Sequence, residues 1–189
     1  MSDYPVPDWV RDSLALAPLV VVRRMRSVNG LIPVGVRGPA RNKRFAAFIS
    51  PDSIREHITP EEIAKKRRWR RGRLKQLSFA AALDQIESRL STPAYIWGPI
   101  GSVAYELASG ATAVSPNSDL DLLIRMYTPM DCKSARRLLL RLLVVPKCVD
   151  VQIETPFGAI ALAEYARCEA QLLLRTCDGP RLVSNPWLG

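Results

Sequence analysis

The chain has 189 residues with 27 basic and 18 acidic side chains, so its formal charge at neutral pH is +9. Hydrophobic residues make up 48% of it, which excludes wholesale disorder and is enough for a packed core. The longest apolar stretch, residues 138–146, is too short to span a membrane and contains Arg141. The first residues lack the basic end and apolar run of a secretory signal, so the expected location is the cytoplasm.

Most of the excess positive charge lies in one segment, residues 65–75, which reads K-K-R-R-W-R-R-G-R-L-K. Without its eight cations, the rest of the chain holds 19 basic and 18 acidic residues. The segment is interpreted either as a contact for a polyanion or as a solvated helix or linker. Nucleic acid is the less favoured polyanion, because Trp69 is the only aromatic residue in the segment. A polyphosphate ligand and an acidic protein are the other polyanions that such a segment could bind.

Cysteine and histidine exclude two classes of site. The cysteines lie at wide spacings without a C-x-x-C pair, at positions Cys132, Cys148, Cys168 and Cys177. His57 is the only histidine, so a zinc site or a Ser-His-Asp triad is not expected. Without a secretory signal, we expect the cysteines to be reduced thiols rather than a disulfide framework.

The first part of the chain predicts a small α+β domain over residues 1–78, with the basic segment at its end. Strands are predicted at residues 19–23, 32–38 and 45–49. Asn29-Gly30 is a hairpin signal, because both residue types tolerate positive φ. Thr59, Pro60 and Glu62 predict the start of a helix, with the threonine as N-cap and the glutamate closing a capping box.

The second part, residues 79–189, predicts a mixed sheet with flanking helices, which makes the fold class α+β. Helices are predicted at residues 79–90, 103–109 and 134–144, and residues 160–176 are expected to be mainly helical. Strands are predicted at residues 95–97, 119–125 and 148–154.

Strand alternation places carboxylates together in this second part. Asp119 and Asp121 share one face of their strand, and Asp150 lies on the polar face of the next strand. If the two strands are neighbours, the three carboxylates converge and repel each other, and a divalent cation such as Mg²⁺ removes that repulsion. Gly101-Ser102, between a strand and a helix, would supply backbone N–H groups and a hydroxyl to hold phosphates.

The order strand, Gly-Ser, helix, D-x-D strand and third aspartate resembles the nucleotidyltransferase superfamily that includes DNA polymerase beta. The chain also resembles, over most of its length, the phosphoribosyl-dephospho-CoA transferases of malonate decarboxylase, also called its holo-acyl-carrier-protein synthases. The matching runs are I-P-V-G-V-R-G (32–38), R-F-A-A (44–47), W-G-P-I-G-S-V-A-Y-E-L-A-S-G (97–110), S-P-N-S-D-L-D-L-L-I-R (115–125), V-D-V-Q-I-E-T-P-F-G-A (149–159), L-L-L-R-T (172–176) and D-G-P-R-L-V-S-N-P-W (178–187). The basic segment matches no motif of this family.

The resemblance implies a specific enzyme reaction. The family transfers a phosphoribosyl-dephospho-CoA group from 2′-(5″-triphosphoribosyl)-3′-dephospho-CoA to a serine of the malonate decarboxylase acyl carrier subunit, and pyrophosphate is released. It implies that Asp119, Asp121 and Asp150 hold Mg²⁺ and that Asp150 also helps to deprotonate the serine. Gly101-Ser102 would bind the leaving phosphates. Arg125 is assigned either to a phosphate or to an ion pair.

Other functions stay open from the sequence. The superfamily chemistry could act on another substrate, as in a carrier transferase of the citrate lyase type or an ordinary nucleotide transferase. The alternative that is not an enzyme is a basic nucleic-acid-binding protein in which the carboxylates are structural. Its affinity for nucleic acid would weaken steeply with salt. A membrane partner is not expected.

Overall fold

The computed structural model describes residues 5–40, 42–91 and 95–188, which form two β-sheets with flanking helices, the α+β class expected from the sequence. The helices are α1 (Asp8–Leu16), α2 (Pro60–Lys66), α3 (Gly72–Lys75), α4 (Ser78–Arg89), α5 (Gly101–Ser109), α6 (Cys132–Leu142) and α7 (Leu162–Tyr165). The strands are β1 (Val21–Val22), β2 (Ile32–Arg37), β3 (Arg44–Ile49), β4 (Ile96–Pro99), β5 (Leu120–Arg125), β6 (Val149–Thr155), β7 (Gly158–Ala161), β8 (Leu172–Thr176) and β9 (Gly179–Val183). Within these described ranges, no helix has the length and apolar character needed to cross a membrane.

The N-terminal sheet is antiparallel, in the order β1-β2-β3. Asn29 and Gly30 have φ of 51° and 75° between the bridged residues Val28 and Leu31. Positive φ at both central residues is what a two-residue type I′ turn requires, so the predicted hairpin is confirmed. The first strand is shorter than predicted.

Helix α2 begins as the sequence predicts. The Thr59 hydroxyl accepts a hydrogen bond from the Glu62 backbone N–H at 3.2 Å, and the Glu62 carboxylate accepts one from the Thr59 N–H at 2.7 Å. This capping box satisfies two N–H groups that the helix itself cannot pair. The helix ends at Lys66 because Arg67 takes a left-handed conformation with φ of 49°.

The basic segment therefore folds in short pieces instead of one helix. A 3₁₀ turn at Arg68–Arg70 precedes α3. Trp69 is fully buried, and its indole N–H donates to Asp84 of α4 at 2.9 Å. Leu74 is also buried in the core under the second sheet. These two side chains anchor the segment to that core.

Local carboxylates neutralise part of the segment's charge. Arg67 pairs with Glu87 of α4 at 2.5 Å, and Arg70 contacts both Asp84 at 2.8 Å and Glu87 at 2.9 Å. Such exposed pairs contribute at most about 1 kcal/mol each. Their main consequence is that the full charge of the segment is not available to a partner.

The second sheet has the order β4-β5-β6-β7-β8-β9. Strands β5 and β6 are parallel and α6 connects them, whereas the other neighbouring pairs of this sheet are antiparallel. Along β6, Val149, Val151 and Ile153 are buried and alternate with more exposed polar residues, as the sequence predicts. Strand β6 therefore has one apolar face in the core and one more polar face.

The prediction of a mainly helical segment at residues 160–176 is wrong. Only α7 is helical there, and the rest of the segment belongs mostly to β7 and β8. In β8, Leu172 and Leu174 are buried while Arg175 is exposed. Burial therefore alternates along this strand, although the three consecutive leucines do not show that alternation in the sequence. The following Asp178-Gly179, with φ of 107° at the glycine, turns the chain into β9. Asp-Gly is a dipeptide typical of hairpin turns, and the helix prediction for the leucine-rich segment before it did not take it into account.

The expectation of reduced cysteines is also wrong for one pair. Cys132 and Cys168 form a disulfide with 5.4 Å between their Cα atoms, whereas Cys148 and Cys177 are free and exposed. Cys132 opens α6, and Cys168 follows α7, which packs against α6. Packing of two helices thus brings together cysteines that are 36 residues apart, which their spacing could not reveal.

Polar contacts join the N-terminal sheet to the second one. Arg24 pairs with Glu154 at 3.1 Å, and the Arg26 guanidinium donates to Asp178 at 2.7 Å. Arg37 donates to the carbonyl oxygen of Ala113 at 3.0 Å. The division into domains at residues 1–78 and 79–189 stays a prediction.

Candidate active site

The pairing of β4 with β5 brings the Gly-Ser turn to the D-x-D sequence. The two strands are antiparallel with Pro99 opposite Leu122, so the end of β4 lies beside the start of β5. The Ile100 N–H donates to the Asp121 carbonyl at 2.9 Å, which extends this pairing by one residue. Gly101 and Ser102 then open α5 directly alongside Asp121.

Gly101 makes a close approach to the Asp121 side chain possible. A Cβ added at Gly101 would lie 2.1 Å from Asp121 Oδ2, and the glycine has φ of 63°. The carboxylate thus occupies space that any side chain at residue 101 would fill. It also lies beside the N-terminus of α5, where the helix dipole favours negative charge.

The parallel pairing of β5 with β6 places Asp121 directly opposite Asp150. The sequence expectation that these two strands are neighbours is therefore confirmed. Asp119 precedes β5 by one residue and is exposed, and Asp150 is exposed on the polar face of β6. Asp121 and Asp150 alternate with the buried residues Leu120 and Val149, so these two carboxylates lie on the same side of the strand pair.

These carboxylates do not form a complete metal cage by themselves. Within residues 5–40, 42–91 and 95–188, no group of three or more histidine, cysteine, aspartate or glutamate side chains is close enough to hold a metal ion. Mg²⁺ is ordinarily bound by one or two carboxylates together with water and substrate phosphates. The Asp119 and Asp121 oxygens are hard ligands of the type that Mg²⁺ prefers, so they fit a site that the substrate completes.

A cavity of about 520 Å³ opens between the N-terminal sheet and the second sheet. The second sheet and its loops contribute Gly101, Ser102, Tyr105, Ala111, Thr112, Ala113, Val114, Ser115, Ser118, Asp119 and Asp121 to its lining. The N-terminal part contributes Trp9, Asp12, Ser13, Leu16, Arg37, Gly38, Pro39 and Arg44. Four of the predicted site residues thus share one cavity.

Two of the predicted site residues are not part of this lining. Asp150 lies next to Asp121 in the sheet register but is not a wall residue of the cavity. Arg125 lies at the opposite end of β5, half-buried, where it forms ion pairs with Glu61 and Glu154. Of its two sequence assignments, the structure therefore shows the ion pair, and it does not bring Arg125 to the cavity.

Sequence reasoning missed the residues from the N-terminal part. Arg37 lies at the end of β2 and Arg44 at the start of β3, inside two of the matching runs. Those runs were the signal that could have found them, whereas the pairing of β2 with β3 was not predicted from the sequence. Trp9 had no such signal, because its position depends on where α1 packs.

The loop that leads from α5 to the aspartates is held by a buried carboxylate. Glu106 of α5, 8% exposed, accepts hydrogen bonds from the N–H groups of Ala113 at 2.8 Å and Val114 at 2.9 Å. Arg73 of the basic segment pairs with the same carboxylate at 2.8 Å and donates to the Val114 carbonyl at 2.7 Å. One arginine of the basic segment thus supports the cavity wall.

Burial raises the pKa of Glu106, but hydrogen bonds from Arg73, Ala113 and Val114 outweigh that effect, so its pKa lies below the ordinary value. A carboxylate with a lowered pKa stabilises the fold fully above its unfolded pKa, about 4.3. This stabilisation is lost as the pH falls through the lower pKa of the folded state.

Glu106→Gln is therefore expected to lower the free energy of unfolding by about 2 kcal/mol near neutral pH, because several hydrogen bonds to a charged group are weakened. The difference from the wild-type protein should be smaller at about pH 3 than near neutral pH, because the stabilisation by this carboxylate is lost progressively as the pH falls below its unfolded pKa. Urea unfolding at both pH values measures it. Glu56→Gln, which changes an exposed glutamate, is the control, and an equal loss in both variants would contradict the role of Glu106.

The arrangement has the order that the sequence motifs predict, with facing carboxylates on a parallel strand pair beside a helix that begins at a glycine. A family model described as phosphoribosyl-dephospho-CoA transferase MdcG C-terminal domain matches residues 67–186, and one for the N-terminal domain of the same transferase matches residues 2–60. The chain belongs to the phosphoribosyl-dephospho-CoA transferase family.

Similar proteins carry the same description. A relative from Pseudomonas fluorescens named phosphoribosyl-dephospho-CoA transferase is 41% identical over 96% of this chain and 85% of its own length. Relatives with that name from Azotobacter vinelandii and Pseudomonas putida are each 39% identical, over 98% and 96% of this chain and 87% and 86% of their own lengths. No solved structure matches the chain significantly.

Proposed function

We propose that this protein transfers the phosphoribosyl-dephospho-CoA group from 2′-(5″-triphosphoribosyl)-3′-dephospho-CoA to a serine of the malonate decarboxylase acyl carrier subunit. The observation that carries the proposal is the pair Asp119 and Asp121 in a cavity beside the Gly101-Ser102 helix start, in a member of this family. The lining of the cavity comes from both the N-terminal part and the second sheet with its loops. The proposed location is the cytoplasm.

The proposed reaction forms one bond and breaks one. The serine oxygen of the carrier bonds to the α-phosphorus of the triphosphate, and the bond from that phosphorus to the oxygen bridging to the β-phosphate breaks. Pyrophosphate leaves with that oxygen, and the serine proton passes to a base. Catalysis of such transfers comes mostly from positioning and from neutralising charge on the phosphate oxygens.

Each site residue has a proposed role in this reaction. Ser102 and the backbone N–H groups at the start of α5 bind the phosphates that leave. Asp150, exposed next to Asp121, accepts the serine proton. Its open position on the polar face of β6 leaves room for the carrier protein to approach.

Mg²⁺ is proposed as the cofactor, held by Asp119 and Asp121 together with water and phosphate oxygens of the substrate. Asp150, which the sequence expectation also made a ligand, is proposed here only as the base, because no three acidic side chains of the described residues are close enough to hold a metal ion. When bound, Mg²⁺ supplies positive charge that stabilises the attacking and leaving oxygens of phosphoryl transfer. The residues of this chain contribute by keeping the carboxylates on one side of the strand pair and Asp121 against Gly101.

Carrier mass tests the proposal. The protein is incubated with Mg²⁺, the triphosphoribosyl precursor and either the apo carrier subunit of malonate decarboxylase or that of citrate lyase. We expect the malonate carrier to gain the mass of the prosthetic group, with one pyrophosphate released per carrier. A mass gain on the citrate lyase carrier alone would overturn the proposed acceptor, and no gain on either would overturn the reaction.

The exposed part of the basic segment is proposed to contact the acidic carrier. Lys65, Lys66, Arg68, Arg71 and Lys75 are all exposed. Neutralising Lys65 and Arg71 to glutamine is expected to raise the KM for carrier several-fold at low salt, since steering by surface charge is screened by ions. The kcat should stay unchanged, because neither residue lies in the cavity.

A double variant with equal charge loss on another surface is the control for this prediction. Lys133 and Arg136 are exposed on α6, and their change to glutamine should leave the KM for carrier near the wild-type value. Equal KM changes in the two double variants would mean that only net charge matters. An unchanged KM for carrier in the Lys65 and Arg71 variant would show that the segment is a solvated surface without a docking role.

A further inference from the structure

The end of the β2-β3 hairpin presents two arginines to the cavity. Arg37 and Arg44 are direct partners in the antiparallel register, and both line the cavity. Like charges directly opposite each other on neighbouring strands destabilise a sheet. Two cationic side chains that line the same cavity raise the local positive charge, which favours an anion in this part of it.

The two arginines are held differently. Arg37 donates to the Ala113 carbonyl at 3.0 Å, and its guanidinium carbon lies 5.4 Å from the centre of the Tyr105 ring. It is therefore attached to the opposite side of the cavity. Arg44 is exposed at the cavity rim, where its side chain can reach an incoming ligand.

Helix α1 completes this side of the cavity. A Cβ added at Gly38 would lie 2.9 Å from two ring carbons of Trp9, so the absence of a side chain there lets the indole pack on the hairpin end. Trp9, Arg37, Gly38 and Arg44 form one surface, here called the hairpin wall. It faces a cavity whose other side holds the start of α5 and the carboxylates Asp119 and Asp121.

The charged residues around the cavity determine which kind of anion can bind there. Asp12, Asp119 and Asp121 also line it, so a bare anion would be repelled from part of the wall. A polyphosphate that carries a divalent cation matches both kinds of charge, with the cation near carboxylates and phosphate oxygens near arginines. The planar guanidinium of arginine binds phosphate oxygens in pairs, which lysine cannot do.

We propose that Arg37 and Arg44 of the hairpin wall bind the polyphosphate of the donor substrate, so that the N-terminal sheet forms part of the active site. The proposal rests on the proposed function for the identity of the donor. Arg44 is the main ligand-binding residue, and Arg37 both binds phosphate and joins the wall to the loop at Ala113. Two phosphate sources are available in the donor, its triphosphate and the diphosphate of the dephospho-CoA part.

Calorimetry of inorganic triphosphate binding to the full chain in MgCl₂ tests the proposal without turnover. We expect Arg44→Ala to raise the Kd about tenfold, the effect of losing one charge-assisted contact. Lys43→Ala removes the neighbouring exposed cation, which does not line the cavity, and should leave the Kd within about twofold. Equal effects of the two variants, or a wild type that binds neither triphosphate nor dephospho-CoA, would overturn the proposal.

A second ligand and a second variant sharpen the assignment. Titration with dephospho-CoA, which has the diphosphate and no triphosphate, shows which phosphates Arg44 contacts, and loss of affinity in either titration supports the hairpin wall. Arg44→Lys should recover only part of the affinity, and an unchanged melting temperature shows that each variant is folded. If no carrier gains mass while triphosphate binding still depends on Arg44, the proposed function fails and this inference stands.

Discussion

Replacement of Asp121 by asparagine is expected to reduce the kcat of group transfer about 1000-fold while the protein stays folded. The change removes one negative charge and keeps the shape of a side chain that fits against Gly101. Asp119→Asn should have an effect of the same order, since both carboxylates line the cavity and are the proposed ligands of Mg²⁺. Initial rates of carrier modification across a Mg²⁺ titration measure both variants.

The Mg²⁺ titration separates a metal-binding role from a general effect of charge. A lost carboxylate ligand should raise the Mg²⁺ concentration needed for half-maximal rate, in addition to lowering the rate at saturation. Glu169→Gln removes one exposed carboxylate elsewhere and should behave like the wild type. Near-normal activity of either aspartate variant would refute the assignment of these residues to the metal.

Gly101→Ala is expected to reduce group transfer about 100-fold, because misplacement of a catalytic group by about 1 Å has an effect of that size. The added methyl group would lie 2.1 Å from Asp121 Oδ2, so the carboxylate must move. The residue also has φ of 63°, and an alanine there costs about 1 kcal/mol of folding stability. Steady-state kinetics and urea unfolding of the same preparation measure the two effects.

Gly110 at the other end of α5 provides a matched control. It has φ of 77° as the C-cap residue, and a Cβ added there meets no atom within 4 Å. Gly110→Ala should therefore lose a similar amount of stability and keep its activity. If it lost activity to the same extent as Gly101→Ala, backbone strain would explain both variants, and the contact with Asp121 would not be the cause.

Local signals predicted most of the elements that position the cavity. The capping box at Thr59 and Glu62, the Asn29-Gly30 turn and the alternation around Asp121 each depend on residues close in sequence, and each is confirmed. The prediction failed at residues 160–176, where leucine-rich composition suits a helix and a buried strand equally. There, pairing of β8 with β7 and β9 decided the structure.

The basic segment changed most between sequence and structure. From its sequence, the segment could be either a contact for a polyanion or a solvated helix or linker. In the structure, Trp69 is buried, Arg67 and Arg70 pair with carboxylates of α4, and Arg73 supports the loop at Val114. A charge count cannot show which cations face solvent, because that depends on helices placed later in the chain.

The α+β class, the polar strand positions of Asp121 and Asp150 and the family motifs could all be inferred from local sequence patterns. The catalytic roles of Asp119, Asp121 and Asp150 remain predictions. Long-range packing was needed to bring Asp121 opposite Asp150 and against Gly101, and to place the hairpin arginines in the cavity that Asp121 lines. The reason is distance along the chain: Arg37 contacts Ala113 across 76 residues, and no local pattern encodes such a contact.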